Sequence, residues 1–342
     1  MIAIFHFSNN LRTFIAQKYH LLLRTRPYVS FHNYGELSNE QCGELGNAIA
    51  GSTTLKRMAF FLSNNIDNTK LSRILKGVEL CKGLIELKLH RDDLNNNDND
   101  TKEAESLINV KHYLQPNQLQ QISNMIKTNV TIKTLSLNNV YVGLNAGKEC
   151  LFDFCKALKM NEVITDLDIT FFIAEETLAK EREDMMENSP FYNWTVEFNE
   201  AICEMKQLKS LSVRFRFYEA RDGTSGETGE ETEEVKVEKN DGGNDKTRDK
   251  TKNNTKIIQT LIKHMLQLQS KGLHEFHLDI KCPLTKNITS LISNWITSKS
   301  TNLKHLTIQC VSIEDKAMEE LGKSISAARS KLEEFILVSE DE

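Results

Sequence analysis

Along most of the chain the hydrophobic positions follow one short pattern: apolar, two variable residues, apolar, one variable residue, apolar. It recurs at Leu55/Met58/Phe60, Leu84/Leu87/Leu89, Ile132/Leu135/Leu137, Ile164/Leu167/Ile169, Leu208/Leu211/Val213, Leu273/Phe276/Leu278, Leu303/Leu306/Ile308 and Leu332/Phe335/Leu337, with Val29/Phe31 as a partial ninth instance. The alternation at the end of each instance predicts a β-strand. Upstream of five instances an apolar residue stands ten before the first apolar position and another six before it, and the position seven before is usually small. These sets are Leu45/Ala48/Ile49, Ile74/Gly77/Val78, Ile122/Met125/Ile126, Phe154/Ala157/Leu158 and Phe198/Ala201/Ile202. Offsets of three and four lie on one helical face, so each unit reads as helix, short turn, strand. The small position is expected to let the helix lie close against the strand layer.

Successive strand starts are 29 residues apart from Leu55 to Leu84 and from Leu303 to Leu332, 30 from Leu273 to Leu303 and 32 from Ile132 to Ile164. Self-similarity at this period is the signature of a solenoid, in which each unit buries its apolar face against its neighbours. The period, the LxxLxL strand and the helix with its small residue resemble ribonuclease-inhibitor-like leucine-rich-repeat proteins over roughly Tyr28 to Val338. The resemblance implies an α/β fold: a right-handed leucine-rich-repeat solenoid, or horseshoe, of about eight to nine repeats, with parallel strands on the concave face and helices on the convex one. The family usually places Asn or Cys just after the strand, where the side chain satisfies backbone groups at the bend. That position holds Asp92 once and Val140, Phe172, Arg216, Lys281 and Val311 elsewhere, so irregular bends are expected.

Three intervals exceed the period and read as insertions: loops near 91–111 and 170–193, and a charged segment over 218–256. The third has almost no apolar residues and divides into an acidic and a more basic half, so it is expected to be disordered. The array thus runs over 28–217 and resumes over 257–342. Residues 1–27 contain no acidic side chain, carry Arg12, Lys18, Arg24 and Arg26, and put Leu11, Phe14, Ile15, Tyr19, Leu22 and Leu23 on one helical face. They read as a helix capping the first repeat, with a presequence-like segment as the alternative.

Composition narrows the function classes. A net charge of −5 is too small for an overall field that would attract nucleic acid. The 7 cysteines are odd in number and scattered, without CxxC or zinc-type spacing, and read as reduced core thiols. No stretch approaches the ~20 apolar residues of a membrane span. A cytoplasmic monomer is expected, with nuclear or mitochondrial placement as alternatives. Nucleotide-binding, hydrolase and metalloprotease motifs are absent, and Asp93 to Asp100 lacks the central Gly and terminal Glu of a calcium loop. His274-x-x-His277 would point its two rings to opposite faces of a strand, which argues against a shared metal. No cofactor, metal or catalytic residue is therefore assigned.

The candidate site follows from alternation, which sends the variable positions within each strand into the concavity. Arg57, Phe61, Lys88 and His90 make its early part basic and aromatic, while Asp166, Asp168, Glu275 and Asp279, with Arg214 and His277 among them, make the later part acidic. A non-catalytic module binding a protein partner on that face is the expectation, with Phe191, Tyr192 and Trp194 in the second insertion as a secondary surface. Ran-type GTPase activators and ubiquitin-ligase substrate receptors use similar arrays and are the alternatives. The stretch before Tyr28 is too short for a complete F-box.

Overall fold

The computed structural model describes residues 3–6, 23, 25–32, 37–62, 67–91, 114–142, 148–173, 190–217, 272–280, 283–297, 302–328 and 332–339. Their backbone forms one open sheet of ten parallel strands paired in chain order. These are β1 (Ala3–His6), β2 (Tyr28–His32), β3 (Arg57–Leu62), β4 (Glu86–Arg91), β5 (Thr134–Val142), β6 (Asp166–Ile173), β7 (Ser210–Phe217), β8 (Glu275–Ile280), β9 (His305–Cys310) and β10 (Glu334–Ser339). Seven helices among the described residues connect them: α1 (Asn39–Ala50), α2 (Asn68–Leu80), α3 (Pro116–Thr128), α4 (Lys148–Met160), α5 (Pro190–Glu204), α6 (Lys286–Thr297) and α7 (Asp315–Ala328). The architecture is a leucine-rich-repeat α/β solenoid, in which parallel strands require a crossover and each helix supplies one. None of these helices is long and apolar enough to cross a membrane.

Local chemistry sets where the helices begin. Ser38 Oγ accepts from Gln41 N at 3.2 Å while Gln41 Oε1 accepts from Ser38 N at 2.8 Å, a reciprocal cap that satisfies two otherwise orphaned donors ahead of α1. Asp67 Oδ1 accepts from Lys70 N at 2.8 Å ahead of α2. Pro116 and Pro190 open α3 and α5, where the missing N–H costs nothing and the fixed φ suits the first turn.

The core is continuous from repeat to repeat. Inward strand residues such as Phe31, Met58, Leu87, Leu137, Ile169 and Val213 are 0% exposed and meet the helix residues Leu45, Ile49, Ile74, Ile122, Phe154 and Ile202. Burying each such side chain contributes about 1.5–3 kcal/mol. At Gly77 the small helical position serves a different contact from the one expected. A Cβ on Gly77 would stand 2.1 Å from Gly46 O, so the backbones of α1 and α2 touch each other, and the close approach is helix to helix rather than helix to sheet.

Two hydrogen-bond ladders fix the edge where helix turns into strand. In one, the residue just before a strand gives its carbonyl to two consecutive amides of the next repeat: Pro27 O to Lys56 N and Arg57 N at 2.8 and 2.9 Å, then onward through Lys56, Ile85, Lys133, Thr165, Lys209 and His274 to Lys304. In the other, side chains three residues before the strand's first apolar position close the turn. Asn161 Oδ1 accepts from Val163 N and Ile164 N, both at 2.9 Å, while its Nδ2 donates to Ile126 O at 2.9 Å and Asn129 O at 3.2 Å. Asn129 Oδ1 likewise accepts from Thr131 N and Ile132 N at 2.9 and 2.8 Å, and Ser52 Oγ accepts from Leu55 N while donating to Leu23 O. The asparagine ladder sought after the strand thus lies before it.

Several boundaries differ from the sequence reading. The strand β1 lies inside 1–27, ahead of the expected capping helix; within that helix Leu23 is buried, and most of the remainder lies outside the described residues. Residues 170–173 extend β6 and 190–193 begin α5, so the second insertion is shorter at both ends than expected. Trp194 is not a surface anchor. It is 2% exposed and meets the Phe171 ring edge-on at 4.8 Å, in a cluster with Phe198 and Phe215. Most of the first insertion and all of 218–256 lie outside the described residues.

Candidate functional site

Because neighbouring strands pair in register, the outward positions form straight rows across the sheet. The first row runs Arg57, Glu86, Thr134, Asp166, Ser210, Glu275, His305, Glu334, and the second Ala59, Lys88, Ser136, Asp168, Ser212, His277, Thr307, Ile336. In the third, Phe61 stands beside His90, and Thr170, Arg214, Asp279, Gln309 and Val338 follow one another. Arg57, Phe61, Lys88, His90, Asp166, Asp168, Arg214, Glu275, His277 and Asp279 therefore all sit on the face of the sheet away from the helices.

They are not equally available. Phe61 stacks on the His90 imidazole with centroids 5.3 Å apart, and His90 Nδ1 hydrogen-bonds Asn138 Nδ2. Thr170 donates to Asn138 Oδ1 at 3.4 Å and accepts from Arg214 at 3.3 Å. Arg214 lies 3.0 Å from Asp168 Oδ1, at ion-pair distance but out of line for a hydrogen bond, and Ser136 donates to Asp168 Oδ2 at 2.9 Å. Arg216 donates to Asp279 Oδ2 at 2.6 Å, and that carboxylate is only 2% exposed. Phe61, His90, Thr170, Arg214 and Asp279 of the third row, with Ser136 and Asp168 of the second, thus form a cross-linked floor.

Burial pushes the His277 imidazole below its ordinary range, and the Arg214 cation adds to the effect. Burial, then Lys88, does the same to His90. Both shifts disfavour the charged imidazole. Near them Ser212 Oγ, His277 Nε2 and Asp279 Oδ1 are buried without a hydrogen-bond partner.

The expected acidic half therefore needs correction. Asp168 and Asp279 are neutralised by Arg214 and by Arg216, a residue expected just after the strand, whereas β7 runs on to Phe217. Asp166 and Glu275 keep unpaired charge: Asp166 accepts from Thr134 and Thr165 hydroxyls, and neither carboxylate has a cation within ion-pair distance among the described residues. In the basic half, Lys88 lies 3.1 Å from Glu86, and Arg57 is exposed with its guanidinium 5.5 Å over the Tyr28 ring. Available charge is concentrated in the first row, and locked charge lies deeper along the strands. Among the described residues no group of three or more His, Cys, Asp or Glu side chains is placed to hold a metal ion.

No family model and no curated protein matches the chain. Solved structures give distant likenesses. A tropomodulin C-terminal domain from Caenorhabditis elegans is 16% identical, with 54% of this chain and 90% of that one covered at a TM-score of 0.35. Leiomodin-1 actin-binding site 2 is 15% identical, covering 58% and 94% at 0.36. The yeast Rad7 and Elc1 complex is 13% identical, covering 93% and 59% at 0.43. At these scores the likenesses carry no argument about this protein's partner.

Proposed function

We propose that the protein is a monomeric, non-catalytic interaction module of the ribonuclease-inhibitor-like kind, which binds a protein partner on the helix-free face of its sheet. The observation that carries this reading is the contrast between rows. Beside a floor of cross-linked side chains, Arg57, Asp166 and Glu275 present charge that no opposite charge among the described residues neutralises. Pre-ordered side chains lose less entropy on binding, which is what an extended recognition surface needs.

The test is affinity capture with mass spectrometry, comparing the intact chain with Asp166→Lys/Glu275→Lys. These positions are chosen over Asp168 and Asp279 because reversing a locked carboxylate would disturb folding as well as binding. The reading predicts loss of the specific partners with an unchanged circular dichroism spectrum. Retention of every partner by a folded double variant would refute it.

A further inference from the structure

The charged residues at the helix-to-strand edge have a period of two repeats. Lysine occupies the last position before β3, β5, β7 and β9, and a carboxylate occupies the first position of β4, β6, β8 and β10. Each lysine carbonyl accepts the amide of the next repeat's carboxylate residue: Lys56 O from Glu86 N at 3.1 Å, and Lys133 O from Asp166 N, Lys209 O from Glu275 N and Lys304 O from Glu334 N, all at 3.0 Å. The alternate junctions carry no such pair. Ile85 bonds Thr134, Thr165 bonds Ser210, and His274 bonds His305.

Backbone contact does not bring the opposite charges together. Among the described residues Lys304 is the one lysine of the four in an ion pair, 2.5 Å from Glu333, and all four lysines are exposed. Glu86 lies against Lys88 and Glu334 against His305 Nδ1, whereas Asp166 and Glu275 have no Lys, Arg or His within ion-pair distance among the described residues. Two parallel lines of charge result, lysines at the rim and carboxylates one residue deeper, each repeating on every second strand.

Strands lie about 4.8 Å apart, so each line repeats at about 9.6 Å. A polyproline II segment has three residues per turn and advances about 9.3 Å per turn, so every third side chain stays in phase with the carboxylates; over the three intervals from Glu86 to Glu334 the drift is about 1 Å. Two α-helical turns advance about 10.8 Å and drift by more than about 3 Å over the same span. A β-strand turns every third side chain to the opposite face.

We propose that this edge binds an extended partner segment in the polyproline II conformation that carries a basic side chain at every third position and an acidic one beside it. The basic side chains meet Asp166, Glu275 and their neighbours in the first row, and the acidic ones meet the rim lysines. The inference rests on the reading of the helix-free face as a protein-binding surface and adds the chemistry and periodicity of the partner.

The probe is a fluorescein-labelled peptide of repeated Lys-Glu-Pro triplets, with a peptide of the same composition ordered Lys-Lys-Glu-Glu-Pro-Pro as comparison. Both are titrated with the full chain by fluorescence anisotropy at low and at physiological ionic strength. The triplet peptide is expected to bind, the reordered peptide at least about fivefold more weakly, and Asp166→Asn/Glu275→Gln to weaken the triplet peptide about tenfold. Equal binding of both peptides would reduce the edge to diffuse charge attraction and overturn the proposal, as would no binding of either. Should the peptides fail while captured partners are still lost on charge reversal at Asp166 and Glu275, this partner chemistry falls and the interaction-module reading stands.

Discussion

Asn161 and Asn129 occupy the same place in successive repeats, yet they are not bonded alike, and removing each in turn separates two contributions to the turn. Asn161 is 5% exposed and makes four hydrogen bonds, two accepted from the amides that start its own strand and two donated to the previous repeat. Asn129 accepts the equivalent two amides and, at a long 3.4 Å that adds little, the Thr131 hydroxyl, but its Nδ2 is buried without a partner. At about 1 kcal/mol net for each bond, Asn129→Ala costs about 2 kcal/mol and Asn161→Ala about 4 kcal/mol. The difference, about 2 kcal/mol, is the part of this turn that couples one repeat to the next. Urea denaturation followed by far-UV circular dichroism measures it, provided the m-value is unchanged, since arrays can lose cooperativity. Native-state exchange at the Val163 and Ile164 amides gives a local check. Equal losses for the two variants, or a larger one for Asn129→Ala, would refute the reasoning.

Further expectations follow from packing and charge. Gly77→Ala places a Cβ 2.1 Å from the Gly46 carbonyl and should cost more than about 2 kcal/mol, whereas Gly322→Ala meets nothing within 4 Å and should stabilise by about 0.5–1 kcal/mol; thermal midpoints would show opposite signs. Arg216→Ala leaves the buried Asp279 carboxylate uncompensated and should cost about 3–5 kcal/mol in chemical denaturation; a loss under about 1 kcal/mol would mean that water already solvates that carboxylate. The depressed His90 and His277 imidazoles bind protons more readily in the unfolded chain than in the folded one, so stability should fall as pH drops below their ordinary value of about 6.5. Denaturation midpoints from neutral to acid pH should fall less steeply in His277→Gln than in the parent, and identical slopes would remove His277 from the account.

Hydrophobic periodicity made the array legible because every repeat must bury the same face. Nine of the ten strands stand at positions that the apolar pattern marks, and their outward rows follow from alternation alone. Side-chain pairing was not legible, because Asp168 with Arg214 and Asp279 with Arg216 are close only after residues far apart in the chain come into register. Asn129 and Asn161 were within reach, since both stand three residues before the strand's first apolar position, but the family resemblance directed attention to the other end of the strand. Trp194 was misplaced because the second insertion was taken to run to residue 193, whereas the helix already begins at Pro190. The strand β1 has too short an apolar stretch, and no marked helix before it, to register as a repeat.

The carbonyl ladder from Pro27 to Lys304 gives the array an unequal response to force. Along that edge every repeat is tied to the next by a carbonyl gripping two amides, so the edge behaves as a cord that resists stretching. At the opposite ends the strands vary from four to nine residues and the register slips between Leu137 and Val140, so among the described residues no comparable cord runs there. Tension applied between the first and last repeats should therefore open the solenoid as pages open about a bound spine, with the two charge lines keeping their spacing while the far strand ends separate.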